Sequence, residues 1–323
     1  MKARSLKTVI KPDYRQFRLR KLNTPEFSHI KLLLFWPVFG LAFLAAMGYG
    51  SGGALCLVGC ALGYFAAGLK IVRVCSRGVP EAGALKPMWW LSFAAALVHT
   101  AAVGCDLFGP GTVYFGFGMA LSIALLFAVF ITLVESFVRR VSGLMGVLLF
   151  VAAVCALMPV VFPGEAVASE TWTVLFRVHL IVALGAYSFM TIAFLQAVLL
   201  WMLQRQLKDP AAAHKTTGLV ANMPNLMAME RILYRIVLCG FVCLTLVLII
   251  GSFATQQYMG QPFVFDHKTV LTWISWIVFA VLMVGRYFFG WRNKRALMLF
   301  WAGYAFLVAA YVVYRFVIEL FLS

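Results

Sequence analysis

Apolar stretches, each about as long as a membrane crossing, follow one another along almost the whole chain. Short polar or glycine-containing segments separate nine such runs, whose approximate ranges are 32–49, 54–74, 88–105, 115–137, 143–162, 178–203, 234–255, 269–289 and 296–321. An α-helix needs about 20 apolar residues to cross the hydrocarbon core of a bilayer. The pattern therefore predicts an all-α fold, a polytopic transmembrane helical bundle with about eight or nine membrane-spanning helices.

The composition excludes a water-soluble globular fold. Of the 323 residues, 63% are hydrophobic and only 12% are charged, whereas soluble domains are about half apolar and a quarter charged. A soluble fold of this size could not bury so many apolar side chains.

The distribution of basic residues predicts the orientation. The chain has 27 Lys and Arg residues against 11 Asp and Glu, which gives a net charge of +16. With Met1 in the cytoplasm and nine crossings, every Lys and Arg except Arg177, Lys268 and Arg315 falls on the cytoplasmic side. Because cytoplasmic loops are enriched in basic residues, this predicts a multi-pass protein with a cytoplasmic N-terminus. Anionic membrane lipids are then the expected partners of the basic residues, and we expect no nucleic acid partner.

The first apolar run is predicted to be an additional anchor. Only residues 50–53, Gly-Ser-Gly-Gly, separate it from the second run, which predicts a tight turn. A cleaved signal peptide is the alternative, but the preceding basic segment is unusually long and no A-x-A site follows. We expect residues 1–53 to form a basic cytoplasmic tail with an extra N-terminal transmembrane anchor, and residues 54–323 to form the main transmembrane domain.

Several classes of catalytic site are excluded by their missing motifs. The chain has no Walker loop, no G-x-S-x-G and no H-E-x-x-H. Its seven cysteines include no C-x-x-C pair and no C-x-x-C-H, which excludes thioredoxin-like redox chemistry and covalently attached heme. We therefore expect no catalysed reaction, and a ligand would have to bind inside the bundle or at its outer mouth.

Three of the five histidines are predicted to lie at one level of the membrane. His99 falls in the outer half of its apolar run, and His179 and His267 each begin a helix after an external loop. Ionisable groups inside a membrane are costly and usually functional. We predict that at least two of the three are ligands. The alternative is that each is an interfacial polar residue hydrogen-bonded to a neighbour.

An iron held in a porphyrin fits this pattern. Heme is a flat apolar disc with two carboxylates on one edge, so it needs an apolar slot, axial imidazoles and nearby cations. Arg177 lies two residues before His179, and Lys268 directly follows His267. We predict a non-covalently bound b-type heme, either resident or in transit. The candidate iron ligands are His99, His179 and His267, and Arg177 and Lys268 would meet the propionates, unless these two cations only snorkel at helix ends.

Three other interpretations stay open. The three histidines, with Asp106 and Asp266, would form a direct zinc or copper site, although no closely spaced ligand pair is present. A cofactor-free membrane scaffold, or a regulator of heme and tetrapyrrole metabolism or of another membrane protein, is the second. A small-solute transporter is the third, but no internal repeat of interrupted helices is visible, and Pro37 and Pro159 are isolated helix breakers.

Several segments between about residues 88 and 321 resemble one known family. They are Ala96–His99, His179-Leu180, Gly185–Tyr187 with the run to Gln204, Pro224-x-Leu226-x-x-x-Glu230-Arg231, Gly240-Phe241, Leu244-Thr245, Gly251, Asp266-x-Lys268, Trp273, Trp276 and Gly290–Arg292. In order, spacing and topology they resemble the cytochrome c assembly membrane protein family, the CcsA/CcmC-like heme-handling proteins, and especially its short YpjD/HemX-like members. The resemblance implies that residues 54–323 form a transmembrane domain of this type.

The resemblance also implies a function and a location. In this family, external histidines ligate heme, which is moved or presented for attachment to apocytochrome c at the bacterial cytoplasmic (inner) membrane. Other membrane proteins of cytochrome c maturation are then expected partners. His179 matches the external histidine that begins a long helix, His99 resembles the histidine of an early helix, and His267 has no counterpart. The family's tryptophan-rich external sequence and its histidine near the end of the penultimate helix are absent here, which favours an accessory or regulatory role.

Overall fold

Long apolar helices make up most of the protein. The computed structural model describes residues 50–77, 83–108, 114–138, 142–162, 164–166, 173–208, 226–260, 266–292 and 294–313. Within these residues the helices are α1 (Gly50–Arg77), α2 (Lys86–Phe108), α3 (Phe117–Val138), α4 (Ser142–Ala156), α5 (Met158–Val161), α6 (Val174–Lys208), α7 (Leu226–Met259), α8 (His267–Phe289) and α9 (Lys294–Val308). A π-helical turn, Ala309–Val313, follows α9, and the two-residue strands β1 (Tyr114–Phe115) and β2 (Glu165–Ala166) pair antiparallel.

Seven helical segments in the described part of the chain are long and apolar enough to cross a membrane. They comprise α1, α2, α3, α4 with α5, α6, α7 and α8, and each corresponds to one of the predicted runs. Helix α9 and the following π turn match the start of the last run. The predicted polytopic helical bundle is therefore confirmed. The run at 32–49, and with it most of the predicted anchor, lies outside the described residues.

Helix α1 begins earlier than the glycine-rich sequence predicts. Residues 50–53 are helical rather than a turn. Glycine is a poor helix former in water, but inside a membrane the backbone has no water to bond with, so the intrahelical hydrogen bonds decide the conformation.

A proline separates α4 from α5. Helix α4 ends at Ala156, Leu157 forms a turn, and Pro159 lies at the beginning of α5. Proline has no backbone N–H to continue the ladder of hydrogen bonds, and its ring interferes with the preceding turn. The break is therefore a local one, as expected for an isolated proline.

Small residues let α1 and α4 approach closely. A Cβ added to Gly68 would lie 3.1 Å from the carbonyl oxygen of Gly146, and a Cβ added to Gly146 would lie 3.0 Å from Val72 Cγ2. Helices in lipid associate through close van der Waals packing, for which small residues at the interface are required.

Buried hydroxyl groups link other helix pairs. Ser188 Oγ on α6 donates to the Ala124 carbonyl of α3 over 2.6 Å, and Ser275 Oγ on α8 donates to the Gly303 carbonyl of α9 over 2.8 Å. Each bond joins two helices at a place that water does not reach. These bonds fix the lateral arrangement of the bundle.

The ends of the described helices define two ends of the bundle. The end called here the basic end contains the last turns of α6 and α8 and the first turns of α7 and α9. The opposite end, called here the histidine end, contains the first turns of α6 and α8 and the last turn of α7. Of the described Lys and Arg residues, only Arg177 and Lys268 lie at the histidine end.

A buried carboxylate at the basic end ties α7 to the end of α8. Glu230, which is 6% exposed, accepts hydrogen bonds from Arg286 Nη1 at 3.0 Å and from Arg292 Nη2 at 2.8 Å. Gly290 ends α8 in the left-handed conformation, with φ of +62°, and so directs the chain back towards Glu230. The bonds to Glu230 raise the pKa of Arg292 above its ordinary value. Two guanidinium groups thus offset the cost of burying one carboxylate.

The contact between α1 and α4 can be tested with a larger side chain. We expect Gly146→Leu to lower the free energy of unfolding by about 1–3 kcal/mol, because the new side chain would collide with Val72 and Ile71. The measurement is an unfolding titration with SDS in mixed micelles. Gly104→Leu is the matched control, since a Cβ there meets nothing within 4 Å. Equal losses in both variants would contradict the close packing described above.

Candidate functional site

A groove opens at the histidine end among α6, α7 and α8. Its volume is about 640 Å³, within the range of about 300–1,000 Å³ that small-molecule sites occupy. Most of its lining is apolar or aromatic and comes from α6, α7 and α8, with contributions from β1 and the π turn. The polar groups are few, as is typical of a site that orients an apolar ligand.

His179 on α6 forms one wall of this groove. Its Nδ1 is buried and has no hydrogen-bond partner in the described part of the chain. Gly251 of α7 lies against the ring, because a Cβ there would be 3.1 Å from His179 Cε1 and 3.5 Å from Nδ1. Buried polar atoms in folded proteins almost always have partners, since an unpaired one costs about 1–3 kcal/mol. A histidine that lines a groove and has an unpaired ring nitrogen is therefore a candidate ligand-binding residue.

Charged residues at the beginning of α8 form the rim of the groove. Asp266 and Lys268 both line it. Asp266 caps α8, because its Oδ1 accepts a hydrogen bond from the Thr269 amide at 2.7 Å. Partial burial raises the pKa of the Asp266 carboxyl, but the bonds from Thr269 and the positive charge of Lys268 outweigh it and leave that pKa below its ordinary value. The rim thus carries a fixed carboxylate next to a lysine.

Two tyrosines separate the groove from a smaller apolar chamber. The chamber has a volume of about 160 Å³ between α3, α6 and α9, and it shares Tyr187 and Tyr311 with the groove lining. The Tyr187 hydroxyl donates to the Leu307 carbonyl over 3.0 Å, which fixes the ring. The two ring centroids are 6.0 Å apart. The groove therefore leads from a charged rim to a mostly apolar interior.

His99 lies outside this groove, in the core between α1, α2 and α3. Its Nδ1 is 3.3 Å from the Tyr64 hydroxyl and its Nε2 is 2.7 Å from Ser122 Oγ. The side chain is fully buried. Both ring nitrogens are thus engaged by hydroxyl groups, as in the alternative interpretation of a histidine paired with its neighbours.

The remaining two predicted residues lie on the surface of the histidine end. His267, the first residue of α8, and Arg177 on α6 are exposed, and neither lines the groove. Of the five residues predicted for the site, the structure brings together His179 and Lys268. Sequence reasoning missed Gly251 as a part of the site, because its role depends on a contact between helices that are distant in sequence.

The alternative of a direct metal site has no cluster to support it in the described ranges. Among those residues, no group of three or more His, Cys, Asp or Glu side chains could hold a metal ion. His99, His179 and His267, the three imidazoles on which that alternative depends, have different surroundings: one is buried among hydroxyls, one lines the groove and one is exposed.

Comparison with known proteins identifies relatives. Residues 111–322 match the family described as Cytochrome C assembly protein. Over 145 residues the chain is 36% identical to the inner membrane protein YpjD of Escherichia coli (strain K12), covering 44% of this chain and 52% of that protein. Over 84 residues it is 31% identical to the cytochrome c biogenesis protein CcsA of Prochlorococcus marinus subsp. pastoris, covering 26% of this chain and 27% of that protein.

These matches confirm the predicted resemblance. The chain spans about half the length of YpjD and about a quarter of that of CcsA. No solved structure matches the chain. The segment that matches the family includes α3 to α9, and thus every helix that lines the groove.

The hydrogen bonds of His99 predict a stability effect. We expect Ser122→Ala to lower the free energy of unfolding by about 1–3 kcal/mol, because it leaves a buried imidazole nitrogen unpaired. Ser136→Ala on the same helix is the control, since its hydroxyl bonds only to the Leu133 carbonyl one turn earlier. Unfolding by SDS in mixed micelles measures both variants. A stability unchanged by Ser122→Ala would argue against this hydrogen bond.

Proposed function

Because this chain belongs to the cytochrome c assembly protein family, we propose that it binds heme in the groove at the histidine end and serves cytochrome c biogenesis or related heme trafficking. Relatives carry names that point in the same direction: CcsA is a cytochrome c biogenesis protein and YpjD is an inner membrane protein. The proposed location is accordingly the bacterial inner membrane.

The unpaired Nδ1 of His179 is the observation that carries the proposal. An imidazole nitrogen is a usual axial ligand of heme iron, and His179 lines an apolar groove while one of its ring nitrogens has no partner in the described part of the chain. Heme, when bound, supplies an iron centre that accepts such a nitrogen. The space left by Gly251 allows the ring to stand against α7, which holds it at the wall of the groove.

The remainder of the groove suits the shape and charge of heme. Its apolar and aromatic lining, continued by the chamber behind Tyr187 and Tyr311, fits a flat hydrophobic ring. Lys268 lines the groove and would place a positive charge near a propionate. The Asp266 carboxylate, which accepts a hydrogen bond from Thr269 as the cap of α8, offsets the positive charge of Lys268, so the net charge of the rim is small. We propose His179 as the iron ligand and Lys268 as the propionate-binding residue.

The charge asymmetry of the bundle supports an orientation for this site. Described basic residues are concentrated at the basic end, and the positive-inside rule associates that end with the cytoplasm. The groove would then open on the external face, with the N-terminus in the cytoplasm. Heme bound there would be accessible to other membrane proteins of cytochrome c maturation.

Heme binding is tested by absorption spectroscopy of purified protein titrated with hemin. We expect a Soret band for the unaltered protein, and at least about tenfold weaker heme binding for His179→Ala, because loss of an iron ligand costs no less than loss of an outer-shell partner. His267→Ala is the control, since its side chain is exposed and outside the lining. A band unaffected by His179→Ala would overturn the assignment. If titration with hemin produces no Soret band of protein-bound heme, the result would favour the cofactor-free scaffold or regulator.

The contact between Gly251 and His179 gives an independent test. We expect Gly251→Leu to weaken heme binding roughly tenfold, because its side chain would displace the imidazole ring. Gly185→Leu on α6 is the matched control, as a Cβ there meets nothing within 4 Å. Hemin titration measures both variants, and near-ultraviolet circular dichroism checks that each keeps its fold. Equal affinities in the two variants would show that the ring position does not matter.

A further inference from the structure

A second groove lies at the basic end, between the last turns of α6 and the first turns of α9. Its volume is about 330 Å³, and its lining is Trp201, Gln204, Arg205, Lys294, Leu297, Met298 and Trp301. It has no lining residue in common with the groove of His179. It therefore needs an explanation of its own.

The groove combines two cations with no carboxylate in its lining. Arg205 and Lys294 come from different helices and converge on it. In the described part of the chain neither residue forms an ion pair, whereas the nearby arginines Arg286 and Arg292 are both bound to Glu230. The guanidinium of Arg205 lies over the Trp201 ring, 5.5 Å from its centroid, which keeps it at the groove wall. The site is thus complementary to an anion.

The position of the groove adds an apolar requirement. Arg205 lies three residues before the end of α6, at the edge of its apolar span, and Lys294 is the first residue of α9. Trp201 and Trp301, whose ring centroids are 6.3 Å apart, are of the type that gathers at membrane interfaces. Met298, 55% exposed, lies one turn further along α9 than Lys294 and extends the apolar part of the groove. A ligand that fits must therefore carry both a negative charge and an apolar part.

We propose that this groove binds a phospholipid with an anionic headgroup, such as phosphatidylglycerol. The phosphate would lie between Arg205 and Lys294, and the glycerol and upper acyl chain would pack on Leu297, Met298 and Trp301. Basic pockets between membrane helices on the cytoplasmic side recognise anionic lipids in this way. A free phosphate would satisfy the cations and leave the apolar wall without a partner. The proposal does not depend on heme binding at the other end.

Native mass spectrometry of the delipidated full chain, titrated with dioleoylphosphatidylglycerol, tests the site. We expect the double variant Arg205→Gln with Lys294→Gln to weaken lipid binding about 30-fold, and each single variant to weaken it about fivefold. These factors follow from the free energy of about 1 kcal/mol that one basic residue near an anionic membrane contributes. The matched control is Arg73→Gln with Arg231→Gln, which removes the same charge from exposed positions at the basic end outside the groove. We expect this control to change binding less than threefold.

Further arms of the experiment separate the possible sources of the anion and check the fold. Dioleoylphosphatidylcholine should bind the unaltered protein at least tenfold more weakly than the anionic lipid, and glycerol 1-phosphate should not compete. Equal losses in the two double variants would indicate a diffuse charge effect and overturn the proposal, as would competition by glycerol 1-phosphate. Thermal unfolding in phosphatidylcholine micelles should be the same for all variants; if the double variant unfolds, the single variants decide the outcome.

Discussion

The absence of water inside a membrane is the constraint on which this structure depends, because every polar group there must find a partner within the protein. The bundle meets it at several buried positions. Ser188 and Ser275 donate hydrogen bonds to carbonyls of neighbouring helices. His99 forms hydrogen bonds through both ring nitrogens, and Glu230 accepts hydrogen bonds from two arginines. Against this background, two buried polar atoms of the described residues have no partner, His179 Nδ1 and Gln206 Oε1, and only His179 lines the groove at the histidine end. Exceptions to hydrogen-bond pairing are expected where a ligand completes the site.

Segments that are distant in sequence meet in the structure. Glu230, from one segment of the family resemblance, binds Arg292, from another, and Gly290 makes the turn that brings Arg292 there. Likewise Gly251 meets His179 across the interface of α6 and α7. The first pair closes the basic end with charges, and the second leaves room at the histidine end. Glu230 and Gly251 both belong to α7, so one end of this helix forms ion pairs and the other end packs against His179.

The fold could be predicted well from the sequence, because helix formation in lipid depends on length and apolarity, which are both local properties. Within the described residues, seven of the nine predicted runs appear as candidate spans, and the proline break at Leu157 follows from Pro159 alone. The site was predicted less completely. The sequence predicted the level of the three histidines in the membrane but not the direction of each side chain. His99 is buried between α1 and α3, whereas His267 is exposed. Such directions depend on helix rotation, which packing decides.

The two grooves differ in a way that follows from where charge can be placed in a membrane protein. At the rim of the groove at the histidine end, Lys268 lies next to the Asp266 carboxylate, so the two charges largely cancel and attract an anionic ligand only weakly. The apolar interior then has to contribute most of the free energy of binding. At the basic end two cations that form no ion pair within the described residues lie beside tryptophan and aliphatic side chains, so charge and apolar contact both contribute. The first arrangement favours a ligand that enters and leaves with modest electrostatic cost. The second suits the anionic phospholipid proposed above, which would contact α6 and α9 together.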